Sequence, residues 1–100
     1  MNYSASKGAI NSAVKALAVE LARDGIRINS ILPGHIMTEL LSSDKKVFSE
    51  EFIDSLKKKY PLGLGKPEDV ANLTCFLLSD ASRWITGSNI VIDGGASLNF

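Results

Sequence analysis

The sequence predicts an α/β fold in which helices cover a parallel sheet. Segments with helical and strand-like patterns follow each other in the order helix, strand, helix, helix, strand. Both strand-like segments are mainly apolar and do not strictly alternate with polar residues, which is typical of strands that carry helices on both faces.

The first half of the chain predicts a helix over residues 4–23 and a strand over residues 26–32. Gly25 favours the left-handed conformation that ends a helix, and Pro33 ends the strand because it cannot donate a ladder hydrogen bond. The helix is predicted from apolar side chains at helical spacing: Ile10, Val14, Leu17 and Leu21.

The second half predicts a helix from about residue 49 to 59, a helix over 67–79 and a strand over 89–93. Pro67 is suited to the first position of a helix, and acidic residues follow it in the first turn. Gly94 follows the last strand and closes it. Two strands form a poor sheet, because parallel strands are normally flanked on both sides. The pattern therefore predicts that residues 1–100 form a single partial domain, incomplete without upstream strands.

The composition excludes several classes of function. Eleven basic and eleven acidic residues cancel, so the chain lacks the charge expected of a protein that binds nucleic acid or anionic membranes. No apolar stretch approaches the ~20 residues that span a bilayer. One cysteine and one histidine cannot form a cysteine- and histidine-rich metal site, so no metal is expected. The default expectation is a cytoplasmic protein.

The pair most suggestive of chemistry is Tyr3 and Lys7, which lie four residues apart and share one face of the predicted helix. A tyrosine acts as a general acid or base only if its pKa falls toward neutrality, and a nearby ammonium favours the phenolate. Many helices contain such a pair by chance, so the pair gains meaning only from the rest of the sequence.

Six segments resemble, in order, the signatures of the short-chain dehydrogenase/reductase family. They are YSASKGA at residues 3–9, GIRINSILPG at 25–34, IMT at 36–38, GKPEDVA at 65–71, ITG at 85–87 and VIDGG at 91–95. Within the family the chain most resembles 3-oxoacyl-carrier-protein reductases and similar sugar- or alcohol-type dehydrogenases. The resemblance implies the C-terminal half of a Rossmann-type doubly wound sheet, and an oxidoreductase that transfers hydride between NAD or NADP and a small carbonyl or alcohol substrate.

The resemblance also implies roles for individual residues. Tyr3 would exchange a proton with the substrate oxygen, and Lys7 would lower the pKa of Tyr3 and hydrogen-bond the nicotinamide ribose. Pro33 and Gly34 would shape the strand end beside the nicotinamide.

Two further positions complete the implied cofactor contacts. The backbone of Ile36 would hold the carboxamide, and Thr38 would reach the carboxamide or the pyrophosphate. Residues 38–60 would cover the substrate, and the complete enzyme would associate into a homo-oligomer.

The chain also departs from the family pattern. No glycine-rich phosphate turn follows a strand, and residues 63–68 have Glu68 where the third glycine of such a turn belongs. The family's active-site serine and asparagine lie upstream of its tyrosine. The 100 residues alone are therefore expected to be inactive. A truncated, non-catalytic remnant that serves as an interaction module is the alternative interpretation.

Three other residues receive structural interpretations. His35 is expected to be a loop residue without a catalytic role. Cys75 is expected to be a small buried side chain, and Trp84 is expected to pack before the last strand.

Overall fold

The computed structural model describes residues 2–37 and 49–98. Within this part of the chain the helices and strands are α1 (Asn2–Ala22), β1 (Ser30–Pro33), α2 (Glu50–Lys59), α3 (Pro67–Leu78) and β2 (Asn89–Ile92). Short 3-10 helices cover Asp80–Ser82 and Ala96–Leu98. The order of elements matches the predicted one.

The two strands pair with each other in a parallel sheet. The backbone N–H of Ser30 donates to the Ser88 carbonyl at 2.9 Å, and that of Gly34 donates to the Ile92 carbonyl at 3.0 Å. Both bonds run in the same direction with the same offset along the chain, as parallel pairing requires. The predicted α/β class is confirmed.

The described residues fall into two compact units. Unit 1 contains residues 2–31 and 74–90, and unit 2 contains residues 32–37, 49–73 and 91–98. The division passes through both strands and through α3. The expectation that residues 1–100 form a single partial domain stays a prediction.

The first strand is shorter than predicted. It begins at Ser30 rather than at residue 26, and it includes Pro33. The preceding backbone pairs with a loop instead of a strand, since the Ile28 N–H donates to Thr86 Oγ1 at 3.1 Å. The Asn29 amide takes part in the same pairing, because it accepts from the Ser88 N–H at 3.0 Å and donates to the Ile85 carbonyl at 3.1 Å. These side-chain bonds replace the ladder that the apolar pattern predicts.

Helix α1 ends as its sequence predicts. Gly25 has a φ of 73°, and its N–H donates to the Ala22 carbonyl at 3.0 Å while the Ile26 N–H donates to the Leu21 carbonyl at 3.2 Å. This pair of bonds is a Schellman motif, which satisfies carbonyls at the helix terminus and turns the chain toward β1.

The buried apolar side chains are few among the described residues. In unit 1, Val14 and Ala18 of α1 are buried, and a Cβ at Gly87 would lie 3.2 Å from that of Ala18. In unit 2, Leu56 of α2 is buried. The loop at Gly87 therefore packs closely on α1, which explains why a glycine stands there.

Two predictions of burial are wrong. Cys75 is exposed, because it lies midway between the half-buried Leu73 and Leu77 in α3 and therefore points to the opposite side of the helix. Trp84 is 86% exposed. It follows the 3-10 helix Asp80–Ser82 in a turn, where the Arg83 guanidinium lies 5.6 Å from its ring centroid.

Candidate functional site

The turn that follows β1 is held to the fold at both ends. Its first residue, Gly34, donates its N–H to the Ile92 carbonyl. Further along, Gly65 pairs with Ile36 in an isolated parallel bridge, in which the Gly65 N–H donates to the His35 carbonyl at 3.2 Å and the Met37 N–H donates to the Gly65 carbonyl at 2.7 Å. The whole turn lies in unit 2.

The bridge fixes the direction of the Ile36 backbone groups. A trans peptide points its C=O and its N–H to opposite sides, and no peptide bond in the described residues is cis. The His35 carbonyl and the Ile36 N–H belong to the same peptide. Because the His35 carbonyl points at Gly65, the Ile36 N–H points away from Gly65. Because the Met37 N–H points at Gly65, the Ile36 carbonyl also points away. One donor and one acceptor are thus presented together on the edge opposite Gly65, which suits a carboxamide.

Position 34 requires a glycine, because two neighbouring side chains lie close to where a Cβ would be. A Cβ at this position would lie 2.8 Å from Cε1 of Tyr60 and 3.0 Å from Cβ of Asp93. Both distances are shorter than ordinary van der Waals contact, so a larger residue would force the turn or its neighbours to shift. This observation explains the glycine through packing within unit 2.

Tyr60 also bonds the turn directly. It is the C-cap residue directly after α2, and its hydroxyl accepts a hydrogen bond from the His35 N–H at 3.0 Å. The rings of His35 and Tyr60 meet edge to face, with centroids 5.9 Å apart. The sequence places Tyr60 only at the end of the predicted substrate-covering segment, residues 38–60, and does not indicate this contact, which spans 25 residues.

Asp93 organises the turn after β2. Its carboxylate accepts from the Gly95 N–H at 3.0 Å and from the Ser97 N–H at 2.9 Å. Hydrogen bonds from the Ser97 side chain and backbone hold the pKa of Asp93 below its ordinary value. The sequence signal was the Asp-Gly-Gly motif, which appeared only as part of the family resemblance.

A cleft of about 400 Å³ lies beside this turn and within unit 2. Two carboxylates line it, from Asp69 and Asp93. Asp69 accepts from the Lys66 N–H at 2.8 Å, so both carboxylates already serve local turns. The remaining lining residues are His35, Ile36, Leu62, Gly63, Leu64, Gly65, Asn72, Ile92 and Gly94.

The proposed catalytic pair lies on α1 in unit 1. Positions 3 and 7 are about one helical turn apart, and the side chain of Lys7 is exposed. Pro33, Gly34 and Ile36 belong to unit 2, so the sequence-predicted residues divide between the two units. Thr38 and the first part of the predicted substrate-covering segment, residues 38–48, lie outside the described residues.

The described residues contain neither a candidate metal site nor a helix that could cross a membrane. Over residues 2–37 and 49–98, no cluster of three or more His, Cys, Asp or Glu side chains could hold a metal ion. Within the same ranges, no helix combines the length and apolar character needed to cross a membrane.

Comparison with known proteins gives consistent matches along almost the whole chain. Residues 1–97 match the family model described as Enoyl-(Acyl carrier protein) reductase. The chain is 37% identical over 99 residues to L-rhamnose 1-dehydrogenase (NAD(P)(+)) of Sphingomonas sp. (strain SKA58), a match that covers 98% of this chain and 38% of that protein.

Solved structures give the same result. A short chain dehydrogenase family protein from Francisella tularensis subsp. tularensis SCHU S4 matches with a TM-score of 0.85 and 37% identity, over 97% of this chain and 43% of that one. A 4-hydroxyisoleucine dehydrogenase complexed with NADH matches with a TM-score of 0.84 and 38% identity, over 98% and 40%. The chain thus spans well under half the length of the relatives it matches.

Proposed function

Because the chain belongs to the short-chain dehydrogenase/reductase family, we propose that the complete protein is an NAD(P)-dependent oxidoreductase that interconverts a small carbonyl compound and its alcohol. Similarity to an NAD(P)-dependent L-rhamnose dehydrogenase and to a dehydrogenase complexed with NADH supports the cofactor class. The structural observation that carries the proposal is the Ile36 edge, where one backbone donor and one backbone acceptor face away from the Gly65 bridge.

The residues around this edge fit a nicotinamide. Ile36 would pair its N–H and C=O with the two polar groups of the carboxamide. Pro33 and Gly34 lie at the carboxyl end of β1, where Gly34 bonds and packs closely against other residues of unit 2. In open α/β sheets, ligands lie outside the carboxyl ends of the strands. Thr38 would add a hydroxyl contact to the carboxamide or pyrophosphate, as the family resemblance implies. The bound cofactor supplies or accepts the hydride.

Tyr3 and Lys7 would move the proton. In the direction of reduction, the Tyr3 hydroxyl donates its proton to the substrate oxygen, and in the direction of oxidation the phenolate accepts that proton. A Lys7 ammonium nearby stabilises the phenolate and so brings the pKa of Tyr3 toward neutrality. A positioned proton donor of this kind contributes on the order of 10²–10⁴ in rate. The helical spacing of the pair supports this assignment.

We further propose a cytoplasmic homo-oligomer. Three alanines of α1 that share a stripe of small residues are exposed: Ala9, Ala13 and Ala16. Small side chains allow two helices to approach closely, so this stripe suits a contact between subunits. Light scattering of the full-length protein tests the assembly, and an Ala13→Glu variant should dissociate it.

Two substitutions at one position test the cofactor edge in the full-length protein. Ile36→Pro removes the N–H that faces the proposed carboxamide, and it leaves the His35 and Met37 bonds to Gly65 available. Ile36→Ala keeps the N–H and removes the side chain, so it serves as the control. One hydrogen bond is worth ~0.5–1.5 kcal/mol, which predicts about two- to tenfold weaker binding of NADH or NADPH for Ile36→Pro relative to Ile36→Ala.

Both nucleotides are titrated into the wild type and the variants, and the change in intrinsic protein fluorescence gives the dissociation constants. Equal affinities for the two variants would contradict the role of the Ile36 backbone. A wild-type protein that binds neither nucleotide and reduces no carbonyl compound would favour the non-catalytic interaction module.

A further inference from the structure

Three anchors hold the turn from Gly34 to Met37 in place. Gly34 donates to the Ile92 carbonyl, and the pairing with Gly65 holds the far end. Between these two backbone anchors, the His35 N–H donates to the Tyr60 hydroxyl. The middle anchor is a side-chain hydroxyl, so a substitution at Tyr60 can remove it without changing any residue of the turn itself.

The middle anchor acts on the peptide next to the proposed cofactor edge. The His35 N–H and the His35 carbonyl belong to consecutive peptide planes, and the second of these planes carries the Ile36 N–H. Fixing the first plane limits the rotation of the second. The Tyr60 ring contributes as well, because it fills the space that a side chain at Gly34 would occupy, with Cε1 2.8 Å from the Cβ position.

Tyr60 belongs to a different part of the chain from the turn it holds. It is the C-cap residue of α2, whose N-terminus is capped by the Ser49 hydroxyl accepting from the Phe52 N–H. The next residues are tied to the turn after β2, since the Leu62 N–H donates to the Gly94 carbonyl at 3.0 Å. Tyr60 therefore lies where the end of α2 contacts the turn that follows β1, and hydrogen bonds before and after it in the chain hold it in place.

We propose that Tyr60 is a positioning residue for the nicotinamide cofactor. Its hydroxyl helps to hold the Ile36 N–H in the direction that the Gly65 bridge gives it, and Tyr60 links α2, part of the predicted substrate-covering segment, to the cofactor edge. This inference rests on the proposed function. It adds a residue that acts through the turn and does not itself touch the cofactor.

The first test is Tyr60→Phe in the full-length protein, which keeps the ring against Gly34 and removes only the hydroxyl. We expect NADH or NADPH, whichever the wild type binds, to bind about two- to tenfold more weakly, as for the loss of one hydrogen bond. Ser55→Ala is the matched control, because it also removes a single hydroxyl. The Ser55 hydroxyl lies on α2 and donates to the Phe52 carbonyl at 2.7 Å. The control should leave nucleotide affinity unchanged.

Further variants separate positioning from simple stabilisation. Tyr60→Leu should weaken binding more than Tyr60→Phe, because it also removes the ring. If Tyr60 acts through the Ile36 N–H, adding Tyr60→Phe to Ile36→Pro should change affinity by less than twofold, a non-additivity typical of coupled residues.

Each outcome decides the matter. Weaker binding by Tyr60→Phe, with an unfolding midpoint no lower than that of Ser55→Ala and with non-additivity in the double variant, supports the proposal. If Tyr60→Phe binds the nucleotide with wild-type affinity, the positioning role of Tyr60 is overturned and the proposed function stands. Full additivity of Tyr60→Phe with Ile36→Pro has the same two consequences. A wild-type protein that binds neither nucleotide overturns both.

Discussion

Arg27 provides a strong test of how unit 1 is held together. Its guanidinium donates to the carbonyls of Leu77 at 2.8 Å, Ile85 at 3.1 Å and Ser79 at 3.2 Å. Leu77 lies in the last turn of α3, where carbonyls lack partners within the helix. One side chain before β1 therefore caps a helix and fixes the loop that follows it.

We predict that Arg27→Met lowers the free energy of unfolding of the full-length protein by about 2–3 kcal/mol. Hydrogen bonds from charged donors contribute ~1.5–3 kcal/mol each when buried, but Arg27 is only half-buried, so solvent screening reduces the sum of the three. Arg27→Lys should lose about half as much, because an ammonium keeps the favourable charge at the helix end but not the planar fork.

Urea unfolding monitored by circular dichroism measures this effect, with the slope of the transition checked for constancy. Arg23→Met is the matched control, because Arg23 is exposed and such substitutions usually change stability by less than ~0.5 kcal/mol. If Arg27→Met and Arg23→Met shift the midpoint equally, the three bonds do not stabilise the fold and the reasoning fails.

Three other predictions concern unit 2 and the proposed catalytic pair. Gly34→Ala places a Cβ 2.8 Å from Tyr60 and should destabilise the protein by ~1–3 kcal/mol, measured by urea unfolding; wild-type stability would show that the turn yields easily. Hydrogen bonds from Ser97 lower the pKa of Asp93 below its ordinary value of 3.8, so its stabilisation is complete above that pH and is lost as pH falls through the folded pKa. Thermal unfolding between about pH 2 and 5 should therefore depend less on pH in Asp93→Asn, and an unchanged profile would contradict this. Lys7→Met should weaken cofactor binding and move the pH profile of kcat to higher pH, whereas an unmoved profile would exclude Lys7 as the group that tunes the tyrosine.

Local signals in the sequence were sufficient to predict most elements. The Schellman motif at Gly25 and the acidic first turn after Pro67 fix their helix termini through contacts a few residues apart, so the sequence alone carries them. The first strand was predicted too long, because the Asn29 side chain bonds residues 56 and 59 positions away and occupies the backbone in place of a ladder. No local pattern contains that information.

The candidate site was predictable only in part. The segment from Pro33 to Ile36 was identified by family resemblance, and the structure adds the reason that the Ile36 edge is available. Tyr60 was missed because its contact with His35 depends on how the end of α2 meets the turn. The exposure of Trp84 shows a similar limit, since an aromatic residue in a turn is buried only if another segment covers it.

The measurement that tests the central claim most directly is the turnover of the full-length Tyr3→Phe variant with a reducible carbonyl compound and NADH or NADPH. Phenylalanine keeps the aromatic ring and lacks only the transferable proton, so kcat should fall by on the order of 10²–10⁴ while the nucleotide dissociation constant stays near that of the wild type. Near wild-type turnover across about pH 6 to 9 would contradict the account, because proton transfer would then not depend on this tyrosine.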